Sequence, residues 1–141
     1  PMRRRRASLA AIAIAVLAGG AALGCEPGEL APTEPTDEPI VVTFEVEDET
    51  FRVLLIDPDD IAVAHRLLDG EDVPSIPNGL VLRRTGVNDG WSWSMDPDDF
   101  EFADVTIEVC DGLPSDVEAG FITSDRYCPW SAVVTSVEPA P

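Results

Sequence analysis

The apolar body of the chain opens with a period of two. In IVVTFEVEDETFRVLLID, Val42, Phe44 and Val46 share one side of an extended backbone. Phe51, Val53 and Leu55 do the same after the acidic turn Glu47-Asp48-Glu49. This alternation predicts two strands joined as a hairpin. The period then lengthens: Ile61, Ala64, Leu67 and Leu68 recur at helical spacing, and Asp69-Gly70 closes the run. Asp57-Pro58-Asp59-Asp60 precedes this stripe in the order a helix start requires. Asp57 can accept from free backbone N–H groups, Pro58 loses nothing at the first helical position, and two acids face the positive end of the helix dipole.

A second hairpin is predicted from Leu80 to Thr85 and from Trp91 to Met95, across a Gly/Asn/Asp loop. Trp91, Trp93 and Met95 share one face of that strand and Ser92 and Ser94 the other. Such a stripe reads first as the core of a small sheet, since aromatic residues dominate core burial. The tetrad Asp96-Pro97-Asp98-Asp99 repeats the capping order, and Phe100 and Phe102 suggest a short helical turn or a bulge. DVTIEVCD reads as a strand with Val105, Ile107 and Val109 inward; a short turn or helix begins at Pro114 or Ser115, and WSAVVTSVE closes as a last strand.

The segment before this body has another character. Four arginines, Arg3 to Arg6, lead an apolar run from Leu9 to Ala18, followed by small residues and Cys25. This is the order of a secretory signal peptide over residues 1–24. Ala22-Leu23-Gly24 before Cys25 resembles a bacterial lipoprotein signal, in which the cysteine carries the lipid. Simple secretion and an uncleaved anchor are the alternatives, the last weakened because a spanning helix needs about 20 apolar residues. Residues 26–39 hold four prolines, five acids and no cation, the composition of a tether. At roughly 3.1 Å per residue it could span about 40 Å. Residues 40–138 then form a single domain, long enough for one core and too short for two.

Charge narrows the partners. Without residues 1–24, five arginines face 27 acids and no lysine, a net charge of −22. Nucleic acid is excluded, because phosphate binding rests on Lys and Arg. A basic protein or a glycan remains open as partner, beside the plainer reading that the charge serves solubility. If Cys25 carries lipid, Cys110 and Cys128 are left as a pair that an oxidising compartment could bridge. Free thiols and half a metal site are the rival readings.

Little in the chain points to catalysis. His65 is the only histidine and flanks the apolar stripe of the helix, with no Ser or Cys partner that can be placed beside it. Neither a nucleophile elbow, a metal-binding histidine pair nor a phosphate-cradling glycine loop is present. Two constellations could bind. Trp91, Trp93 and Trp130 are candidate platforms for a ligand, and Asp89, Asp96, Asp98 and Asp99 could donate oxygens to calcium, although no EF-hand spacing occurs.

Several motifs lie in an order that resembles a known family. They are F-x-V-x-L-x-D-P from Phe51, RLLDGE from Arg66, N-x-G-W-S-W from Asn88, MDPDDFEF from Met95, IEVCD from Ile107 and CPWS from Cys128. From Phe51 to Val137 the chain resembles the BP-seventy-four N-terminal-domain-like family of small bacterial secreted and amoebal domains. The resemblance implies a shared fold, a Cys110–Cys128 bridge and an extracellular setting, and it carries over no catalytic residue. The family pattern has histidine where Ser94 stands and glutamate near Asp104, so any role of that histidine is missing here.

The expected fold is α+β: an antiparallel sheet of about five to six strands, one main helix on one face and one disulfide. The expected function is a small non-catalytic binding domain, secreted or lipid-anchored outside the cytoplasm through Cys25, with no cofactor. A calcium-dependent adhesion or carbohydrate-binding module is the alternative.

Overall fold

The computed structural model describes residues 37–141; the expected signal peptide, Cys25 and most of the tether lie outside them. The first hairpin forms where alternation places it. Strands β1 (Ile40–Val46) and β2 (Glu49–Leu55) pair antiparallel, with Phe44 opposite Phe51 and Val46 opposite Glu49. Only Glu47 and Asp48 make the turn, and Glu47 takes a φ of 57°. Two-residue hairpin turns need such left-handed geometry to match strand twist. Glu49 therefore belongs to the strand, and its Oε2 accepts from the Ser115 backbone N–H at 2.8 Å.

The first tetrad caps helix α1 (Pro58–Leu68): Asp57 Oδ1 accepts from the Asp59 N–H at 2.8 Å, and Pro58 opens the helix. Ile61 and Ala64 are buried and Leu67 packs against the core. Leu68, expected in the same stripe, is exposed at the helix end.

Beyond the helix the structure departs from the expected single sheet. There are two three-stranded antiparallel sheets, ordered β2-β1-β6 and β4-β3-β5. The remaining strands are β3 (Ile76–Leu82), β4 (Ser94–Ala103), β5 (Arg126–Tyr127) and β6 (Val133–Pro139), and a short helix α2 spans Pro114–Ala119. Residues of both sheets meet in one apolar core. Phe44 stacks on Phe51 at 5.1 Å between ring centroids. Phe51, Trp93 and Tyr127 meet mutually at 5.3–5.9 Å. Offset and edge-on pairs of this kind add roughly 0.5–1.5 kcal/mol each beyond their area burial.

The second hairpin is displaced from its expected bounds. β3 starts at Ile76, through Pro77, because β5 reaches only Gly79 and Leu80 and leaves Pro77 without a neighbour on that side. A proline in a strand requires such an open edge. Trp91 and Ser92 fall in the connecting loop, and pairing begins with Ser94 opposite Leu82. The loop is held by Asn88, which is fully buried: its side chain accepts from the Arg52 N–H at 2.8 Å and donates to the Trp93 carbonyl at 3.0 Å. Ser94, expected on an outer face, is buried beneath the same loop, where a Cβ on Gly86 would come within 3.2 Å of its Oγ.

The second tetrad starts no helix. Asp96 Oδ1 accepts from the Asp98 N–H at 3.1 Å, the local bond of a cap, yet the chain continues in β4. Gly79 pairs with Phe100 and Val81 with Met95, so the tetrad stands opposite Leu80 alone as a wide excursion from the ladder. Bulges of this kind let a strand re-aim its side chains. DVTIEVCD likewise forms no strand. A 3-10 turn at Glu108–Cys110 replaces it, and Val105, Ile107 and Val109, expected inward, are exposed.

Candidate functional site

The exposed apolar segment is held in place from both ends. Cys110 and Cys128 form a disulfide, with Cα atoms 5.1 Å apart. The Cys128 N–H donates to the Cys110 carbonyl at 2.7 Å. Trp130 completes the brace: its backbone N–H donates to Asp111 Oδ1 at 2.8 Å and its Nε1 to Thr106 Oγ1 at 2.6 Å. Thr106 is thus used internally, while its neighbours turn to solvent. Val105, Ile107 and Val109 are 83%, 68% and 58% exposed, and Trp130 lies beside them at 45%. Apolar side chains fixed in water at adjoining positions make this segment the candidate for an interaction surface.

A groove of about 250 Å³ runs under this segment, between Val105, Thr106 and Ile107 on one side and Asn78, Ser124 and Arg126 on the other. Across Asn78 and Arg126 it meets a polar cleft of about 360 Å³ lined by Asp98, Asp99 and Glu101. Arg126 forms the divide: its Nε donates to Asn78 Oδ1 at 3.0 Å and its Nη1 pairs with Asp99. Asn78 Nδ2 in turn donates to Glu101 Oε1 at 2.8 Å. Asp98 has no cation partner among the described residues. The bulge in β4 therefore has a consequence at the surface, since it carries Asp98 and Asp99 to the edge of an apolar groove.

The candidate residues expected from sequence are not assembled into one site. Trp93 is fully buried core, and its Nε1 finds no acceptor among the described residues. Trp91 is half-buried and donates from Nε1 to the Thr50 carbonyl at 2.9 Å. Only Trp130 remains as an open platform. Asp89 faces Arg52 at 3.5 Å, Asp96 caps its own turn, and Asp99 pairs with Arg126. Three of the four acids expected around calcium are thus drawn to different partners, and Asp98 alone has no cation partner among the described residues. Among the described residues no three His, Cys, Asp or Glu side chains are grouped to hold a metal ion. His65 is exposed on α1.

Two ionisable groups are perturbed by the fold. Tyr127 is pushed up by burial, with Glu49, Asp111 and Asp116 nearby, and stays a neutral donor to the Gly112 carbonyl at 3.0 Å. Asp60, behind the cap of α1, is pushed up to about 6 by burial. Neither lines the groove or the cleft. Among the described residues no helix is long and apolar enough to cross a membrane.

Sequence reasoning missed the apolar lip and the role of Arg126. Alternation in DVTIEVCD was visible, but it does not reveal which of its faces the protein buries. The one signal is Cys110 at the end of the run, since the bridge to Cys128 anchors that end of the segment. The model of the BP-seventy-four N-terminal domain family matches residues 38–141. No curated protein and no solved structure matches the chain.

Proposed function

The chain belongs to the BP-seventy-four N-terminal domain family, and from that premise we propose that it is a non-catalytic binding module for a basic segment of a partner protein. The observation that carries this reading is the continuity of the apolar groove with the acidic cleft across Asn78 and Arg126. An apolar side chain of the partner enters between Val105 and Ile107, against Trp130. A neighbouring Lys or Arg then reaches Asp98, Asp99 and Glu101. A net charge of −22 outside residues 1–24 steers such a partner toward the surface and speeds encounter.

The module works outside the cytoplasm, held to a membrane by lipid on Cys25 and spaced from it by the acidic, proline-rich tether. The signal-like residues 1–24, together with the disulfide, support this placement.

Titration of the full chain with a peptide of alternating Leu and Lys, followed by tryptophan fluorescence, tests the reading. Saturable binding is expected, weakened about tenfold or more by Ile107→Asp and by the double change Asp98→Asn with Asp99→Asn. A matched Leu/Ser peptide should bind far more weakly. Equal binding of both peptides, or indifference to both variants, would rule the surface out.

A further inference from the structure

A different cleft points to a second ligand. It lies between β2, the β3–β4 loop and the start of β4, encloses about 200 Å³, and is lined largely by Leu54, Val87, Met95 and Pro97. Two arginines, Arg52 and Arg84, stand on the same lining. From Ile40 onward the chain has five arginines among 22 acids, and two of the five stand on one small apolar cleft. The wall is firm, because the buried Asn88 ties its loop to β2 and to the Trp93 carbonyl.

The arginines are also poorly satisfied where they stand. Arg52 reaches Asp89 at 3.5 Å and Glu138 at 3.6 Å. Charge-assisted bonds close to about 2.7–2.9 Å, so both contacts are loose. Arg84 has no ion pair and no side-chain hydrogen bond among the described residues, whereas Arg66 and Arg126 are paired with acids and Arg83 donates to the Val117 carbonyl. Arg84 is exposed at the edge of this apolar hollow, so its guanidinium is free to meet an anion there.

We propose that this cleft binds a small monocarboxylate carrying a ring or a short alkyl body. The planar guanidinium fork matches a carboxylate in two parallel bonds. A dry apolar cavity of about 150 Å³ holds benzene, so the body of the acid fits the space against Met95 and Val87. The carboxylate could belong to a free acid or to the C-terminus of a peptide with an apolar last residue; the chemistry is shared. The site is lined by none of the residues 104–110 and stands apart from the surface proposed for the protein partner.

The full chain, labelled with nitrogen-15, would be titrated with 3-phenylpropionate and, separately, with 3-phenylpropanol. Saturable shifts confined to Arg52–Leu54 and Arg84–Pro97 are expected for the acid, with at least about tenfold weaker binding of the alcohol. Arg84→Gln should weaken the acid about tenfold, and Arg84→Lys should weaken it less. Arg84 has no internal partner to lose, so the melting temperature of both variants should match the parent. Ile107→Asp should leave this binding unchanged, which separates the site from the groove. Acetyl-Ala-Phe binding with a free C-terminus but not as its amide would assign a chain end, and binding of 3-phenylpropionate alone would assign a free acid. Equal binding of acid and alcohol, indifference to Arg84→Gln, or shifts centred elsewhere would overturn the proposal.

Discussion

The same four residues, Asp-Pro-Asp-Asp, occur twice and end in different structures. At 57–60 they start α1, and at 96–99 they bulge from β4. The local chemistry is shared, since the first aspartate of each accepts from the backbone N–H two residues on, at 2.8 Å and 3.1 Å. What differs is the sequence that follows. After the first tetrad, Ile61 and Ala64 repeat at helical spacing and are buried by continuing the helix. After the second, Phe100 and Phe102 repeat at two, and pairing with Gly79 and Pro77 satisfies them as a strand. A cap offers a helix start, and the burial of later residues decides whether it is taken.

The bulge also needs room that its partner strand supplies. A Cβ on Gly79 would come within 2.9 Å of Met95 Cε and 3.2 Å of the Asp99 carbonyl oxygen. Gly79→Ala should therefore cost about 1 kcal/mol, chiefly through the Asp99 carbonyl that must give way, since the flexible end of Met95 can swing aside. Denaturant unfolding would measure it, and a cost below a few tenths would show that the bulge adjusts freely.

The caps themselves give a sharper test. Asp57→Ala should destabilise by about 1 kcal/mol, the usual loss at a helix N-cap, while Asp96→Ala should lose less than about half of that. Equal shifts in unfolding midpoint would mean that both turns matter alike and that the helix adds nothing to the value of a cap.

The smallest effect separates the tetrads by pH. Asp60 is raised from 3.8 to about 6 by burial, with Asp57, Glu101 and Asp59 adding to it and the Phe102 backbone opposing. The folded chain holds that proton more tightly than the unfolded one, so stability falls as pH rises from 3.8 through about 6, then levels off. Asp60→Asn should remove this slope and stabilise the protein at neutral pH by several tenths to about 1 kcal/mol, after allowance for solvent screening. Melting temperatures from pH 4 to 7 for both proteins would check it; parallel curves would assign the slope elsewhere.

Legibility followed the range of the forces involved. The first hairpin and α1 could be read directly because their alternation, turn and cap lie within a few residues of one another. The second hairpin was placed too late in β3 because Ile76-Pro77-Asn78-Gly79 has the composition of a turn. It becomes a strand through β4 and through the shortness of β5, both distant in sequence. Of the candidate site residues, Trp130 is open at the proposed surface, whereas Trp93 went to the core and Asp89 to Arg52. Arg84 drew no notice in the sequence, where one arginine among many acids looks certain to be paired.

The sequence by itself determined the periods of the early elements, the acidic charge, the two cysteines available to bridge and the resemblance to a family that the match over residues 38–141 bears out. These are properties of composition and of near neighbours. Only the tertiary structure decided that the strands split into two sheets, that the second cap opens into a bulge, and that Val105, Ile107 and Val109 face water. In each case the local pattern allowed two faces or two continuations. The choice fell to which one could be buried against side chains far away in the chain.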